Sequence, residues 1–204
     1  MSGELFELLA LCLHPKKIRR KLRVWRDCHL AKKSGNIVDV SDGAFFDGMR
    51  ITCRGSGNRV RDEKGNFCGL SIFCHGNNCN VVIGEGTCVN ASRRHVTSLQ
   101  VIGDSKQIII GKNCLISDSV VMRTSDYHKV FGMNDGMLKN PDSDIIIGDN
   151  CWIGNKVTIN KGVAIANNSI VGNCSVVTKR FDEQNVVIAG NPAQVKNRNV
   201  YWTY

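Results

Sequence analysis

The residues best suited to chemistry stand in one polar segment, residues 123–144. His128, one of only five histidines in the chain, lies in this segment two positions after Asp126. An imidazole can take up a proton near neutral pH, so His128 is a candidate general base, and the carboxylate of Asp126 is a candidate partner for its ring. By spacing alone, a histidine in a loop is more often an ordinary polar residue. Whether His128 has a functional role depends on the elements that position this segment.

Those elements show a six-residue repeat. An aliphatic residue recurs at every sixth position, followed each time by a small or polar residue: Ile147-Gly148, Ile153-Gly154, Ile159-Asn160, Ile165-Ala166, Val171-Gly172 and Val177-Thr178. A second residue stands two positions before each aliphatic residue after the first, and strand alternation turns it to the same side: Cys151, Val157, Val163, Ser169 and Ser175. No helix or ordinary hairpin has this period, and three such hexads form one triangular turn of a parallel β-helix.

The same phase appears earlier in the chain, so the sequence predicts one all-β solenoid domain over residues 37–190. Gly or Asn after the aliphatic residue is expected to adopt a left-handed backbone at the corners. The steps from Ile83 to Ile110 and from Met122 to Ile147 are not multiples of six. Each must contain an insertion, and the second insertion is the loop 123–144 that carries His128. Residues 52–69, with four glycines among charged residues, indicate a third irregular turn.

The first 36 residues form a separate, basic segment. Residues 1–33 contain nine Lys or Arg against three acidic residues, within a net charge of +9 for the whole chain. Apolar residues at helical spacing predict one or two amphipathic helices. Two interpretations stay open: a helical cap on the end of the solenoid, or an anchor for an anionic surface such as the inner membrane or an acidic polymer. Nucleic acid is not an expected partner, because the segment has no aromatic-basic motif.

The ten cysteines and the hydropathy bear on metal chemistry and on the compartment. Cys114 and Cys151 share one inward position of the repeat, so buried free thiols are expected rather than a disulfide framework. The group Cys74-His75 with Cys79 matches no strong zinc spacing, and no metal is expected. The apolar run near the start, residues 8–13, is too short for a signal peptide or a membrane span, which favours a cytoplasmic protein.

Residues 80–198 resemble the hexapeptide-repeat acetyltransferases, a family of left-handed parallel β-helix enzymes. The resemblance rests on four motifs: the Arg-Thr-Ser-Asp-x-His loop with Asn140-Pro141 behind it, Ile-Gly-Asp-Asn-x-Trp-Ile-Gly, Val177-Thr178-Lys179, and the closing Ala-Gly-Asn-Pro-Ala. The loop is most similar to that of the bacterial capsular polysaccharide O-acetyltransferases, including those that act on sialic-acid polymers. The left hand of the coil is implied by the resemblance, because the usual crossover rule predicts the other hand.

The resemblance implies a role for each residue of the site. His128 is expected to be the general base that takes a proton from an acceptor hydroxyl as this attacks the thioester of acetyl-CoA, with Asp126 or a backbone carbonyl orienting the ring. Trp152 follows His128 at a separation that the family also shows. Its indole could hold the thiol or the developing oxyanion, pack on the acceptor sugar, or pack against a neighbouring subunit.

The resemblance also implies where the acetyl donor binds. The family uses its last coils and tail for CoA, and the matching positions here are Asn155, Asn173, Thr178 and Lys179. Two arginines of the family align with Gln194 and Asn197, so Lys196 and Arg198 are the expected substitutes that meet the CoA phosphates. Family members work as homotrimers with each active site between two subunits, and the same assembly is expected here.

Together these features predict an acetyl-CoA-dependent O-acetyltransferase that modifies a sugar hydroxyl of a bacterial surface polysaccharide or its precursor. The basic segment favours an anionic acceptor. A small-sugar or antibiotic acetyltransferase is the alternative among enzymes, and a noncatalytic β-helix scaffold is the alternative outside them. The γ-class carbonic anhydrases share the solenoid but need three metal-binding histidines, at a spacing that His75, His95 and His128 do not show.

Overall fold

A computed structural model describes residues 35–40 and 49–203 of the chain. The predicted amphipathic helices fall almost entirely in residues 1–34, outside the described residues. Within the described ranges the protein consists of 19 strands joined by turns and bends, and it contains no helix. The all-β architecture that the repeat predicts is confirmed for this part of the chain.

The strands are short, because each one forms a single side of a triangular coil. In chain order they are β1 (Ile37–Asp39), β2 (Arg50–Arg54), β3 (Arg59–Asp62), β4 (Asn66–Cys68), β5 (Leu70–His75), β6 (Asn80–Ile83), β7 (Cys88–Asn90), β8 (Thr97–Ile102), β9 (Gln107–Ile110), β10 (Leu115–Ile116), β11 (Val121–Arg123), β12 (Ile145–Ile147), β13 (Trp152–Ile153), β14 (Thr158–Ile159), β15 (Ala164–Ile165), β16 (Ile170–Val171), β17 (Val176–Val177), β18 (Val186–Gly190) and β19 (Ala193–Arg198).

Three parallel sheets form the walls of the coil. Sheet A contains β1, β3, β6, β9, β12 and β15, sheet B contains β4, β7, β10, β13, β16 and β18, and sheet C contains β2, β5, β8, β11, β14 and β17. The chain passes from A to B to C and back to A, so each full coil adds one strand to each wall. The fold is the left-handed parallel β-helix that the resemblance implies. The predicted tail, residues 191–204, begins with β19, which pairs antiparallel with β18 and extends sheet B.

The core is a stack of side chains inside the coil. Ile110, Ile147 and Ile165 are register partners on successive coils of sheet A, and each is at most 2% exposed. The other inward hexad positions on sheets B and C are equally buried, among them Ile153 and Ile159. Burial of each such side chain stabilises the fold by about 1.5–3 kcal/mol. The predicted inward face of the repeat is therefore confirmed.

The corners differ from the expectation. The left-handed residue lies three positions after the aliphatic residue, not directly after it, as at Asn150 (φ 53°) and Lys156 (φ 56°). Gly148 and Gly154 are outside the left-handed region. They are small for another reason: a Cβ on Gly148 would lie 2.3 Å from Asn167 Oδ1 of the next coil. Close stacking of coils, rather than backbone conformation, selects glycine there.

Residues 52–69 also differ from the prediction, since they are not an irregular turn. They contain the end of β2 and all of β3 and β4, which pair in register with the next coil. The step along the chain from Ile51 to its register partner Ile72 is longer than the step from Ile147 to Ile165, which is three hexads. The corners here are longer, so the strands pair in the sheets although the six-residue spacing is lost. For this reason the repeat cannot be recognised in this part of the sequence.

The extra residues of the two steps that are not multiples of six lie at corners of the coil. Ile83 and Ile110 are neighbours in sheet A, and the extra residues of that coil form the bends at 91–96 and 103–106. The larger insertion, residues 123–144, leaves β11 of sheet C and returns to β12 of sheet A. It therefore projects from the edge between sheets C and A.

Candidate active site

The loop 123–144 is fastened to the solenoid at both ends. The Thr124 hydroxyl is fully buried, accepts a hydrogen bond from the Ile102 amide (2.8 Å) and donates one to the Ile102 carbonyl (2.9 Å). At the other end, the Asp144 carboxylate accepts hydrogen bonds from the amide and the side chain of Gln107, both at 3.0 Å. These contacts fix the base of the loop to the coil beneath it.

His128 stands at the end of a tight turn within this loop. Its amide donates to the carbonyl of Asp126 (2.8 Å), two residues earlier, and Tyr127 between them has φ 64°. An i to i+2 hydrogen bond around a positive φ defines a γ-turn of the rare, strained kind, and such strain persists only where surrounding contacts maintain it. The turn holds the His128 side chain out toward solvent, where a substrate hydroxyl can reach it.

Two side chains of sheet C maintain the turn. The Tyr127 hydroxyl donates to Gln100 Oε1 (3.2 Å), and Arg123 Nε donates to the same oxygen (3.0 Å). The Arg123 guanidinium lies 5.5 Å from the centre of the Tyr127 ring, within cation–π range. Sequence reasoning did not single out Gln100 or Tyr127, because their pairing joins two different coils.

The Asp126 carboxylate faces Lys161 and Asn140. Lys161 Nζ lies 2.6 Å from Asp126 Oδ2, and Asn140 Nδ2 donates to the same oxygen (3.0 Å). The hydrogen bond from Lys161, then that from Asn140, holds the pKa of Asp126 below its ordinary value. Asn140 Nδ2 also donates to the His128 carbonyl (2.8 Å), and its Oδ1 accepts from the Val130 amide (2.6 Å).

Asp126 is therefore linked to His128 through the backbone of the turn and through Asn140. The group that orients the His128 ring, the Asp126 carboxylate or a backbone carbonyl, stays a prediction. Lys161 is on the C-to-A corner of the following coil and also donates to the Asn140 carbonyl (2.7 Å). One cationic side chain from the scaffold thus joins both ends of the loop.

Trp152 lies on a different wall of the solenoid. It belongs to β13 on sheet B, where it is 37% exposed and flanked in register by Leu115 and Ile170. The ring of Trp202 lies 6.2 Å away at 46°, and its Nε1 donates to the Asn150 carbonyl (2.8 Å). Trp202 was not predicted; the aromatic cluster Tyr201-Trp202-Thr203-Tyr204 was the only sequence feature that pointed to it.

The topology of one chain places His128 and Trp152 on different sides of the solenoid. The loop projects from the corner between sheets C and A, which lies opposite sheet B in the triangular coil. The tip of the loop is apolar and open to solvent: Phe131 is 59% exposed, Met133 102% and Met137 64%. An apolar tip of this kind is typical of a surface that a partner covers.

The positions expected to bind CoA divide between two edges of the solenoid. Asn155 and Asn173 stack at the corner between sheets B and C, where the Asn155 amide donates to Asn173 Oδ1 (2.8 Å) and the Asn155 side chain contacts Asp118. Thr178 and Lys179 follow β17, and Lys179 Nζ donates to Gln194 Oε1 on β19 (3.1 Å). Their polar groups are partly engaged by the protein itself.

The two tail cations differ from each other. Lys196 is exposed on β19. Arg198 Nε bonds both oxygens of Glu183, at 2.9 and 3.1 Å, so its charge is already paired. Of the two expected substitutes for the family arginines, Lys196 is the better placed to meet a phosphate.

The eight cysteines of the described residues bear on metal binding and on covalent catalysis. None of these cysteines forms a disulfide, and the described residues contain no group of three His, Cys, Asp or Glu that could hold a metal ion. A hydrogen bond with Cys53, together with burial, raises the pKa of Cys74, and burial raises that of Cys79 to about 11. Thiols with raised pKa values are poor nucleophiles and poor metal ligands. Hydrogen bonds with Cys74 and Cys151 lower the pKa values of their respective partners, Cys53 and Cys114. No helix long and apolar enough to cross a membrane occurs in the described part of the chain.

Known proteins share both the repeat and the fold. The family described as bacterial transferase hexapeptide (six repeats) matches residues 144–179. The polysialic acid O-acetyltransferase of Neisseria meningitidis is 32% identical over 154 residues, which cover 66% of this chain and 71% of that protein. The chain belongs to the hexapeptide-repeat acetyltransferase family.

Two further comparisons support this membership in the acetyltransferase family. The crystal structure of the polysialic acid O-acetyltransferase OatWY is 31% identical and superposes with a TM-score of 0.62, covering 83% of this chain and 88% of that one. The polysialic acid O-acetyltransferase of Escherichia coli O1:K1 / APEC is 32% identical over 122 residues, or 60% of this chain. The match spans only 38% of that longer relative.

Proposed function

We propose that this protein is an acetyl-CoA-dependent O-acetyltransferase that modifies a sugar hydroxyl of a bacterial surface polysaccharide or its precursor, with His128 as the general base. The observation that carries the proposal is the solvent-exposed imidazole on a strained turn that Gln100, Arg123 and Asn140 hold in place. Strain kept at an exposed histidine is typical of a functional site. The named activity of the relatives supports the same reaction.

His128 accepts the proton of the acceptor hydroxyl while the oxygen forms the new ester bond. Acetyl-CoA supplies the acetyl group as a thioester, and the proton finally passes to the departing thiolate of CoA. A positioned base contributes about 10²–10⁴-fold to such a step. No covalent intermediate on the protein is required.

Trp152, with its exposed indole, is proposed to meet the acyl group or the acceptor on sheet B. Because His128 and Trp152 lie on different sides of one chain, we propose that the complete site combines the loop of one subunit with sheet B of another. The apolar tip at Phe131, Met133 and Met137 gives such a loop a surface to bury against its neighbour. These features support the homotrimer that the family resemblance implies.

Acetyl-CoA is proposed to bind along the last coils, near Asn155, Asn173, Thr178 and Lys179, with Lys196 toward its phosphates and Arg198 available only if it leaves Glu183. Lys179→Ala is expected to weaken acetyl-CoA binding more than it changes turnover, because a contact with a non-reacting part of CoA is made equally in ground and transition states. The double variant Lys196→Ala/Arg198→Ala should behave likewise. Unchanged affinity of both variants in calorimetry would place the donor site elsewhere.

The central test is thiol release from acetyl-CoA with a panel of acceptors: an anionic polysaccharide, a neutral polysaccharide, a galactoside and an aminoglycoside. We expect transfer to a polysaccharide and a loss of at least about 100-fold in turnover for His128→Ala, with the fold and CoA binding retained. Asp135→Asn, at the exposed tip of the same loop, is the control. Transfer to the small acceptors alone would favour the small-sugar or antibiotic alternative, and full activity of His128→Ala would exclude the proposed base.

A further inference from the structure

The outer face of sheet C continues from the catalytic loop toward the first coils. On the strands β2, β5, β8 and β11, Thr52, Phe73, Gln100 and Arg123 lie in one register row, and each of the four follows a buried residue. The row ends at Arg123, which contacts Tyr127 directly before His128. Any molecule lying along this row would therefore have one end beside the proposed base.

This face carries positive charge without acidic neighbours in its strands. Arg50, Arg54 and Arg123 are the arginines of β2, β5, β8 and β11, and none of these four strands contains Asp or Glu. The Arg54 guanidinium lies 5.6 Å from the centre of the Phe73 ring, and the His75 ring meets Phe73 edge-on at 5.7 Å. Arg50, Arg54 and His75 are exposed.

The outer face of sheet A on the same coils is different. Arg59 and Arg61 of β3 also point outward, but Arg61 is paired with Glu63 (3.3 Å) and lies in register with Asp39 of β1. Charges of both signs alternate there, so the face has little net attraction for an anion. On sheet C the acidic neighbour of Arg123, Asp126, is paired with Lys161 of the scaffold, so the arginines keep this face the more positive of the two.

We propose that the outer face of sheet C, from Arg54 and Phe73 to Arg123 and Tyr127, is a binding track for an extended anionic polysaccharide. This inference rests on the proposed function, since it makes the track an extension of the acceptor site. Guanidinium groups pair with carboxylates in a planar, two-pronged geometry, and aromatic rings offer apolar area with little loss of side-chain entropy. Strands stack about 4.8 Å apart, so the three steps from β2 to β11 span about 14 Å.

The track predicts that the length and charge of the acceptor matter far from His128. A single sugar would contact only the end beside Tyr127, whereas a longer polyanion would also contact Arg54, Phe73 and Arg50. Positive potential along the track would raise the local concentration of a charged polymer, an effect that salt screens. The preference for a long anionic acceptor should therefore weaken as the ionic strength rises.

The test compares Arg50→Gln/Arg54→Gln with the matched control Arg59→Gln/Arg61→Gln, which removes the same charge from sheet A of the same coils. Polysialic acid and a neutral dextran serve as polymers, and a monosaccharide serves as the short acceptor. For Arg50→Gln/Arg54→Gln we expect KM for polysialic acid to rise about tenfold at low salt, at the lower end of electrostatic focusing, with kcat and the monosaccharide kinetics unchanged. Direct binding of polysialic acid without acetyl-CoA should fall in parallel.

Three results would overturn the track: equal binding of polysialic acid by the wild type and Arg50→Gln/Arg54→Gln, an equal loss in the sheet A control, or a changed oligomeric mass of the Arg50→Gln/Arg54→Gln variant. The last would make the face an interface between copies. Direct binding of polysialic acid without acetyl-CoA tests this inference independently of the proposed function. If the wild type transfers acetyl to no acceptor, the proposed function fails, while loss of polymer binding in the sheet C variant alone would still support the track.

Discussion

Asn140→Asp is the most informative single change in the catalytic loop, because it replaces only the side-chain NH2 group by an oxygen and changes the shape little. The side-chain amide of Asn140 donates to Asp126 Oδ2 (3.0 Å) and to the His128 carbonyl (2.8 Å), while its oxygen accepts from the Val130 amide (2.6 Å). Aspartate keeps the acceptor but loses both donated bonds. It also places a second carboxylate beside Asp126.

The expected magnitude follows from these contacts. A hydrogen bond contributes about 1 kcal/mol, and one to a charged group about 1.5–3 kcal/mol, before allowance for solvent exposure. The Asp126 side chain is half exposed. We therefore expect the loss of the two donated hydrogen bonds to cost about 2 kcal/mol in total. The loop contributes little to the core, so this loss acts on the geometry of His128. At about 1.36 kcal/mol per tenfold, kcat/KM should fall by up to about 30-fold.

The assay is acetyl transfer under steady-state conditions, with thermal unfolding measured in parallel. We expect the loss in kcat/KM without a lower thermal midpoint, because the sheets and the buried stack are untouched. Asp135→Asn serves as the control, since Asp135 lies in the same loop and pairs with Lys139 at the exposed tip. Activity of Asn140→Asp within about twofold of the wild type would refute the idea that these bonds position His128.

Four further outcomes are expected. Trp202→Ala should expose Trp152 further and shift the protein fluorescence to longer wavelength; an unchanged spectrum would contradict the observed ring contact. Gly111→Ala should lower the thermal midpoint, because its Cβ would lie 2.6 Å from a carbonyl carbon of the next coil, and a normal midpoint would show that the coils can separate. Cys174 is exposed, so Cys174→Ser should remove a fast-reacting thiol in a native thiol titration, and an unaltered fast phase would count against this. The pKa of Asp126 is lowered from 3.8, so its ion pair stabilises the loop above that pH and is lost only as the pH falls through the lowered folded pKa. Asp126 therefore stays ionised at higher pH, and the acid limb of the pH–rate profile should coincide for Asp126→Asn and the wild type. A displaced acid limb would refute this assignment.

The sequence predicted the scaffold well wherever one coil consists of three hexads, because Ile147, Ile153 and Ile159 must then point inward at a fixed period. It failed over residues 52–69, where longer corners hide the same strands. The position of His128 in an inserted loop was also predictable. Its support was not, since Lys161 belongs to the following coil and meets Asp126 only because coils stack.

The stacking of coils also explains why the loop occurs at its corner. A solenoid can admit extra residues only at an edge, because the strands on each wall must pair with the coils on both sides. Insertion between β11 and β12 leaves these pairings intact and places the loop above Gln100 of the preceding coil and beside Lys161 of the following one. The scaffold therefore supplies rigid partners from two coils to a segment that has no core of its own. In this way a strained turn, which a free loop would relax, can hold His128 in one position.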